Sequence, residues 1–135
     1  PLKDRADMTP SDWVRIANAM VEHGDDVDGF VVIHGTDAMA YSASAVSFLL
    51  TGLNKPVVFT GAQLPLGDPR SDGREHLITS LLIAGTLDIP EVCIYFGDRL
   101  LRGNRSQKVD SASFIAFDSG NLPPLARAGV EVDLR

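Results

Sequence analysis

Three short polar stretches hold the residues with chemical potential. The first is His34-Gly35-Thr36-Asp37, which follows the apolar run Phe30 to Ile33 and precedes an Ala/Ser-rich apolar segment. A hydroxyl and a carboxylate therefore lie where a strand meets a helix. At a helix N-terminus the first backbone N–H groups are unpaired and the helix dipole is positive, so an anionic group binds readily there. Gly35 lets a ligand approach the backbone. The Thr36 hydroxyl can polarise a water or act as a nucleophile when a base is near, and Asp37 can hold a ligand's ammonium group. The same residues also support a purely structural reading, in which Thr36 or Asp37 caps the helix and His34 is a satisfied core or loop histidine. The second stretch, Ser71-Asp72-Gly73, reads as a turn opening a helix. Arg70, Asp72 and Arg74 beside it form, at most, exposed ion pairs of little weight. The third is "LLRGNRSQK" (Leu100 to Lys108), a cluster of cations in an acidic chain. Gly103-Asn104 suits a sharp turn. The cluster is either a solvated loop or the carrier of one cation into a site near the strand ends. A partly buried lysine beside a hydroxyl and a carboxylate can lose its proton and serve as a base.

The elements that must position these residues follow from periodicity. "MTPSDWVRIANAMVEHG" reads as a helix with Thr9 at the N-cap, Pro10 at the first helical position and Asp12 in the first turn. Trp13, Ile16, Ala17 and Met20 form its buried face and Gly24 ends it. Phe30 to Ile33 is apolar on both alternating faces and reads as an interior strand of a parallel sheet. Ala38 to Leu50 reads as a helix ended near Gly52. Val57 to Thr60 is a second buried strand. A helix capped by Ser71 or Asp72 carries Leu77, Leu81 and Ala84 on one face. Val92 to Phe96 is a third strand, Gly97-Asp98 a hairpin turn, and the returning strand runs through Leu101. "NLPPLARAG" reads as irregular or briefly helical, and a last strand lies near Val130 to Leu134. The alternation of strands and helices means βαβ units. It predicts an α/β fold with a mainly parallel sheet flanked by helices and one antiparallel hairpin. The longest polar connection, Leu64 to Gly73, leaves the C-terminal end of a strand, beyond which ligands bind in open α/β sheets.

Composition narrows the function classes. The 135 residues suffice for a single α/β domain with a real core, and 44% hydrophobic with 22% charged residues is ordinary for a globular protein. A net charge of −6 argues against nucleic acid as a general partner and against anionic membranes. The lone cysteine, Cys93, permits no disulfide framework and suits a reducing compartment. No apolar stretch approaches the ~18 residues that span a membrane. The sequence contains no phosphate-binding glycine loop, no GxSxG elbow and no metal-ligand spacing, so metal catalysis is not expected. The opening run "PLKDRADM" has no initial methionine and no signal-peptide pattern, and is expected to be the interior of a longer protein or a processed product.

Taken together, "GFVVIHGTDAMAYSASAVSFLL", "KPVVFTGAQLPLGDPRSDGREHL", "LLRGNRSQKVD" and "NLPPLARAG" resemble the L-asparaginase family, above all its type I (cytoplasmic) bacterial branch and related animal asparaginase–lysophospholipases. The resemblance runs from "DMTPSDW" onward. It implies the asparaginase/glutaminase-like N-terminal domain, the hydrolysis of L-asparagine, sometimes glutamine, to the acid and ammonia, no cofactor, a cytoplasmic homodimer or homotetramer, and a small-molecule substrate. By motif match, Thr36 is the second catalytic threonine, Asp37 binds the substrate α-amino group, and Lys108 pairs with Thr36. The backbone at Ala62 holds the substrate amide. Asp4-Arg5-Ala6 aligns with the family's Asp-Ser-Ser type segment for the substrate's carboxylate and amino groups. Asp4 keeps the acid there, but Arg5 replaces a hydroxyl, which bears on substrate affinity and choice. The family's primary nucleophile, a threonine in a Gly-Gly-Thr turn, and its mobile tyrosine loop are expected before Pro1, and its smaller C-terminal domain after Arg135. The bare 135-residue chain is accordingly expected to be inactive. Two other readings stand beside this one: an ammonia-generating subunit of a tRNA-dependent amidotransferase, and a truncated homologue that keeps the fold without the chemistry.

Overall fold

The computed structural model describes residues 8–134. The chain opens with α1 (Pro10–His23), and Thr9 is its N-cap as expected. The Thr9 backbone N–H donates to the Asp12 carboxylate at 2.9 Å, which joins the cap to the first turn. Ala17 and Met20 are buried, with Trp13 and Ile16 packed beside them. Trp13 Nε1 donates to Ser42 Oγ at 2.7 Å and ties α1 to the next helix. Gly24 ends α1 in right-handed geometry, opening a short 3₁₀ turn over Gly24–Asp26 rather than a left-handed cap.

The expected βαβ units are present. They comprise β1 (Phe30–Ile33), α2 (Thr36–Leu49), β2 (Val57–Thr60), α3 (Gly73–Thr86) and β3 (Val92–Phe96), with β1, β2 and β3 paired in parallel. A tight turn at Gly97 (φ 56°) and Asp98 (φ 66°) leads to antiparallel β4 (Arg99–Arg102). Both residues take the left-handed conformation that a two-residue hairpin requires. Beyond β4 lie β5 (Gln107–Lys108), β6 (Phe117–Asp118), β7 (Ala126–Ala128) and β8 (Val132–Leu134). Among the described residues the main sheet runs β1-β2-β3-β4-β7-β8, and β5 pairs with β6 separately.

Strand side chains alternate between two apolar layers. Val57, Phe59, Ile94 and Phe96 face α2, with α1 behind it, while Val58, Cys93 and Tyr95 face α3. Burial on both sides explains why β2 and β3 read as unbroken apolar runs. It also pushes the Cys93 thiol well above its usual range, helped by the Glu91 charge, so this cysteine stays protonated and unreactive.

Several expectations are corrected. Among the described residues β1 forms one edge of the sheet rather than the interior strand expected, and Ile33 is 70% exposed. Its apolar run reflects contact with helices on both faces, a signal that cannot report whether a second strand lies alongside. The antiparallel portion exceeds one hairpin, because β7 and β8 extend the sheet past β4. "NLPPLARAG" is not helical. It is irregular as far as Leu125, and its Ala126–Ala128 segment is a strand. Buried α3 residues are His76, Ser80, Ile83 and Ala84, whereas Leu81 is exposed. Apolar and polar residues are both spread around that helix, so periodicity did not choose its face.

One glycine fixes the approach of β2 to β1. A Cβ on Gly61 would lie 2.2 Å from the His34 carbonyl oxygen, a backbone atom that cannot swing aside. We expect Gly61→Ala to cost about 1–3 kcal/mol of stability, read as a lowered urea midpoint in the complete protein.

Candidate active site

The His-Gly-Thr-Asp stretch marks the C-terminal end of β1. His34 N–H donates to the Thr60 carbonyl at 2.8 Å, which closes the ladder to β2. Gly35 then serves as the N-cap of α2, so Thr36 and Asp37 are its first two helical residues. The structural reading in which Thr36 or Asp37 caps the helix is therefore wrong: Gly35 is at the cap position and no side chain bonds the cap. Both side chains turn instead toward β5. Lys108 Nζ donates to Thr36 Oγ1 and to Asp37 Oδ1, each at 2.8 Å. Thr36 is buried, Lys108 has 16% of its side chain exposed, and Asp37 reaches the surface. A shielded ammonium thus bridges a buried hydroxyl and an accessible carboxylate.

Lys108 reaches this point because of the short 3₁₀ turn Gly103–Arg105, which packs against α2. Gly103 is required there by closeness rather than by turn geometry. An added Cβ would meet the Val92 carbonyl oxygen at 2.8 Å and Ala43 Cβ at 3.1 Å. The three cations of this stretch separate. Lys108 enters the site, Arg102 pairs with Glu91 at 2.9 Å, and Arg105 is exposed.

A second layer of polar groups supports the site. The Thr36 hydroxyl faces Gln63 Oε1 at 3.5 Å, and the Gln63 amide nitrogen donates to the carbonyls of Ser113 (2.9 Å) and Asp110 (3.2 Å). Asp72 forms no ion pair with Arg70 or Arg74 among the described residues. Its carboxylate accepts the backbone N–H groups of Gln63 and Leu64 at 3.0–3.1 Å. His76, 3% exposed, has its Nδ1 2.9 Å from the Gly61 carbonyl, and its Nε2 accepts the Gly97 N–H at 3.1 Å. These two bonds specify a neutral ring protonated on Nδ1 and join the carboxyl ends of β2 and β3. Ala62 lies between Gly61 and Gln63, with its Cβ against the start of α3. Among the described residues no group of three or more His, Cys, Asp or Glu is placed to hold a metal ion.

A family model described as Asparaginase, N-terminal, matches residues 1–135. The chain belongs to the asparaginase family. It is 52% identical to L-asparaginase 1 of Escherichia coli (strain K12), over 98% of this chain and 39% of that protein. It is 54% identical to the 60 kDa lysophospholipase of Mus musculus, over 99% of this chain and 24% of that protein. In three dimensions it matches L-asparaginase I from Vibrio cholerae with a TM-score of 0.94 and 52% identity, covering all of this chain and 41% of that one. The chain thus spans well under half the length of these asparaginase-family relatives.

Within this asparaginase domain the structure brings Gly35, Thr36, Asp37 and Lys108 together, and Ala62 follows the strand beside them. Asp4, Arg5 and Ala6 lie outside the described residues. His34 takes no part in the Lys108 cluster: its Nδ1 lies 2.7 Å from the Gly35 carbonyl and its ring tilts against Phe59. Sequence reasoning missed Gln63, Asp72 and His76 as supports. The available signal was their placement, since each polar side chain sits at the end of β2 or the opening of α3. We expect His76→Phe to destabilise the complete protein by about 2 kcal/mol or more, because it strands the buried Gly61 carbonyl and Gly97 N–H. Thermal and urea unfolding measure the loss.

Proposed function

We propose that this chain supplies the second-threonine half of an amidohydrolase that converts L-asparagine to L-aspartate and ammonia. The observation that carries the reading is the Lys108 ammonium hydrogen-bonded to both Thr36 Oγ1 and Asp37 Oδ1 at the start of α2. An amide is a poor electrophile with a poor leaving group. Its cleavage needs an activated hydroxyl, a proton route to the departing nitrogen, and donors for the oxyanion. In our reading Lys108 stabilises Thr36 as its hydroxyl exchanges a proton, and Asp37 holds the substrate α-ammonium at the exposed side of the pair. The backbone at Gly35 and Ala62 lines the amide. Asp4, Arg5 and Ala6 would contact the substrate's carboxylate end, with Arg5 altering affinity or choice. The family's Gly-Gly-Thr turn with the primary threonine nucleophile is not among these 135 residues, and the reading invokes no cofactor.

A homodimer or homotetramer agrees with the exposed apolar side chains of Tyr41 and Phe48 on α2 and of Ile78, Leu81 and Leu82 on α3. A cytoplasmic setting agrees with the single buried, free thiol. The net charge of −6 disfavours a tRNA-bound amidotransferase role.

Ammonia release from asparagine by the complete protein tests the reading. Thr36→Ala and Lys108→Met should each lower kcat about 10²–10⁴-fold with the protein still folded. Asp37→Asn should act mainly by raising KM. Absence of turnover of both asparagine and glutamine by the unaltered protein overturns the amidohydrolase reading.

A further inference from the structure

Gln63 contacts three parts of the chain at once. Its backbone N–H is held by the Asp72 carboxylate, its side-chain amide nitrogen binds two carbonyls of the 109–116 loop, and its side-chain oxygen faces the Thr36 hydroxyl. The loop itself starts directly after Lys108. It is closed by the Val109 N–H on the Ala116 carbonyl at 2.8 Å and by the β5–β6 pairing. Gln63 therefore contacts both the hydroxyl that Lys108 touches and the segment that carries Lys108.

The orientation of the Gln63 amide is not free. The two carbonyl oxygens at Asp110 and Ser113 demand donors, so the nitrogen must face them, and a flipped amide would set oxygen against oxygen. That leaves the oxygen toward Thr36. Thr36 Oγ1 accepts from Lys108, and the acceptor that faces its own proton is Gln63 Oε1. At 3.5 Å this contact is longer than an ordinary O–H···O hydrogen bond and is weak as it stands. It aims the hydroxyl while costing little to break when a reacting group arrives.

We infer that Gln63 is a positioning residue: through its clamped side-chain amide it sets the direction of the Thr36 hydroxyl proton and holds the loop after Lys108 in register with it. The inference rests on the proposed amidohydrolase reading for its kinetic consequences, but not for its structural ones.

The test uses the complete protein with Gln63→Met and Gln63→Glu. Gln63→Met keeps the length and removes both the acceptor and the donors. Its kcat for asparagine should fall about tenfold, because the Thr36 hydroxyl loses its orienting acceptor and the loop after Lys108 loses its clamp, with KM changed less than about twofold. Gln63→Glu regains function only where its carboxyl is protonated, because the neutral acid offers one O–H to the loop and one oxygen to Thr36. Its kcat relative to the unaltered protein should therefore rise as pH falls. The charged groups around that position are Lys108, Asp37, Asp72 and Asp110. Hydrogen exchange at the Val109 amide should quicken about tenfold in Gln63→Met. A kcat for Gln63→Met within twofold of the unaltered protein overturns the orienting role, as does a flat pH ratio for Gln63→Glu. Unchanged exchange at Val109 overturns the loop role. If the unaltered protein hydrolyses neither asparagine nor glutamine, the amidohydrolase reading falls instead, and the Val109 exchange alone decides whether Gln63 holds the loop.

Discussion

The contact on which the site depends is a single ammonium group shared between a hydroxyl and a carboxylate. Lys108 Nζ is 2.8 Å from both Thr36 Oγ1 and Asp37 Oδ1, and these acceptors are consecutive residues at the first turn of α2. A lysine so shielded from water needs both partners, since an uncompensated buried charge is costly. That requirement constrains the backbone on each side. α2 must begin at Thr36 so that adjacent side chains both face β5. The 3₁₀ turn at Gly103–Arg105 must lie close enough to α2 to bring β5 over its N-terminus, and only glycine fits at its start.

A second constraint is the neutral histidine at the core of the strand ends. His76 lies between the Gly61 carbonyl and the Gly97 N–H, and its ring packs edge-on to Tyr95 and tilted against Phe96. It fixes the spacing at which β2 and β3 release their chains into loops. The same helix start carries Asp72, which bonds the first backbone groups of the long loop after β2. The helix thus organises the site by polar contacts at its opening and by apolar contacts farther along, at Ile83 and Ala84. Beside it, Tyr95 donates its hydroxyl to Glu75 at 2.6 Å, and burial with this bond pushes the phenol up, so the tyrosine remains neutral.

Much of this was legible along the chain because the decisive signals are local. Thr9-Pro10 with Asp12 announces a helix start, and the apolar runs of β2 and β3 announce buried strands. Gly97-Asp98 announces a hairpin, and each element formed where its residues indicated. The Thr36–Lys108 partnership was reached differently. The residue types allowed it and the family resemblance proposed it, but the four residues alone favoured capping. What failed were choices between equivalent local signals. A helix with apolar residues on several sides does not say which face is inward, and α3 buried His76 and Ser80 while exposing Leu81. An apolar strand does not say whether it has one neighbour or two, and β1 lies at the edge of the described sheet.

The sequence by itself determined the order of strands and helices and the βαβ layering. The elements follow from periodicity and turn chemistry, whereas the resemblance only implied a partnership of Thr36, Asp37 and Lys108, and the contact itself is made by packing. Only the tertiary structure decided that Gly35 rather than Thr36 is at the cap, that Asp72 binds backbone N–H groups rather than arginine, and that Gln63 links Thr36 to the loop after Lys108. The physical reason is that hydrogen-bond partners are chosen in space. A polar side chain at the end of a strand has many acceptors available to it in principle, and which one it satisfies is settled only when distant segments pack.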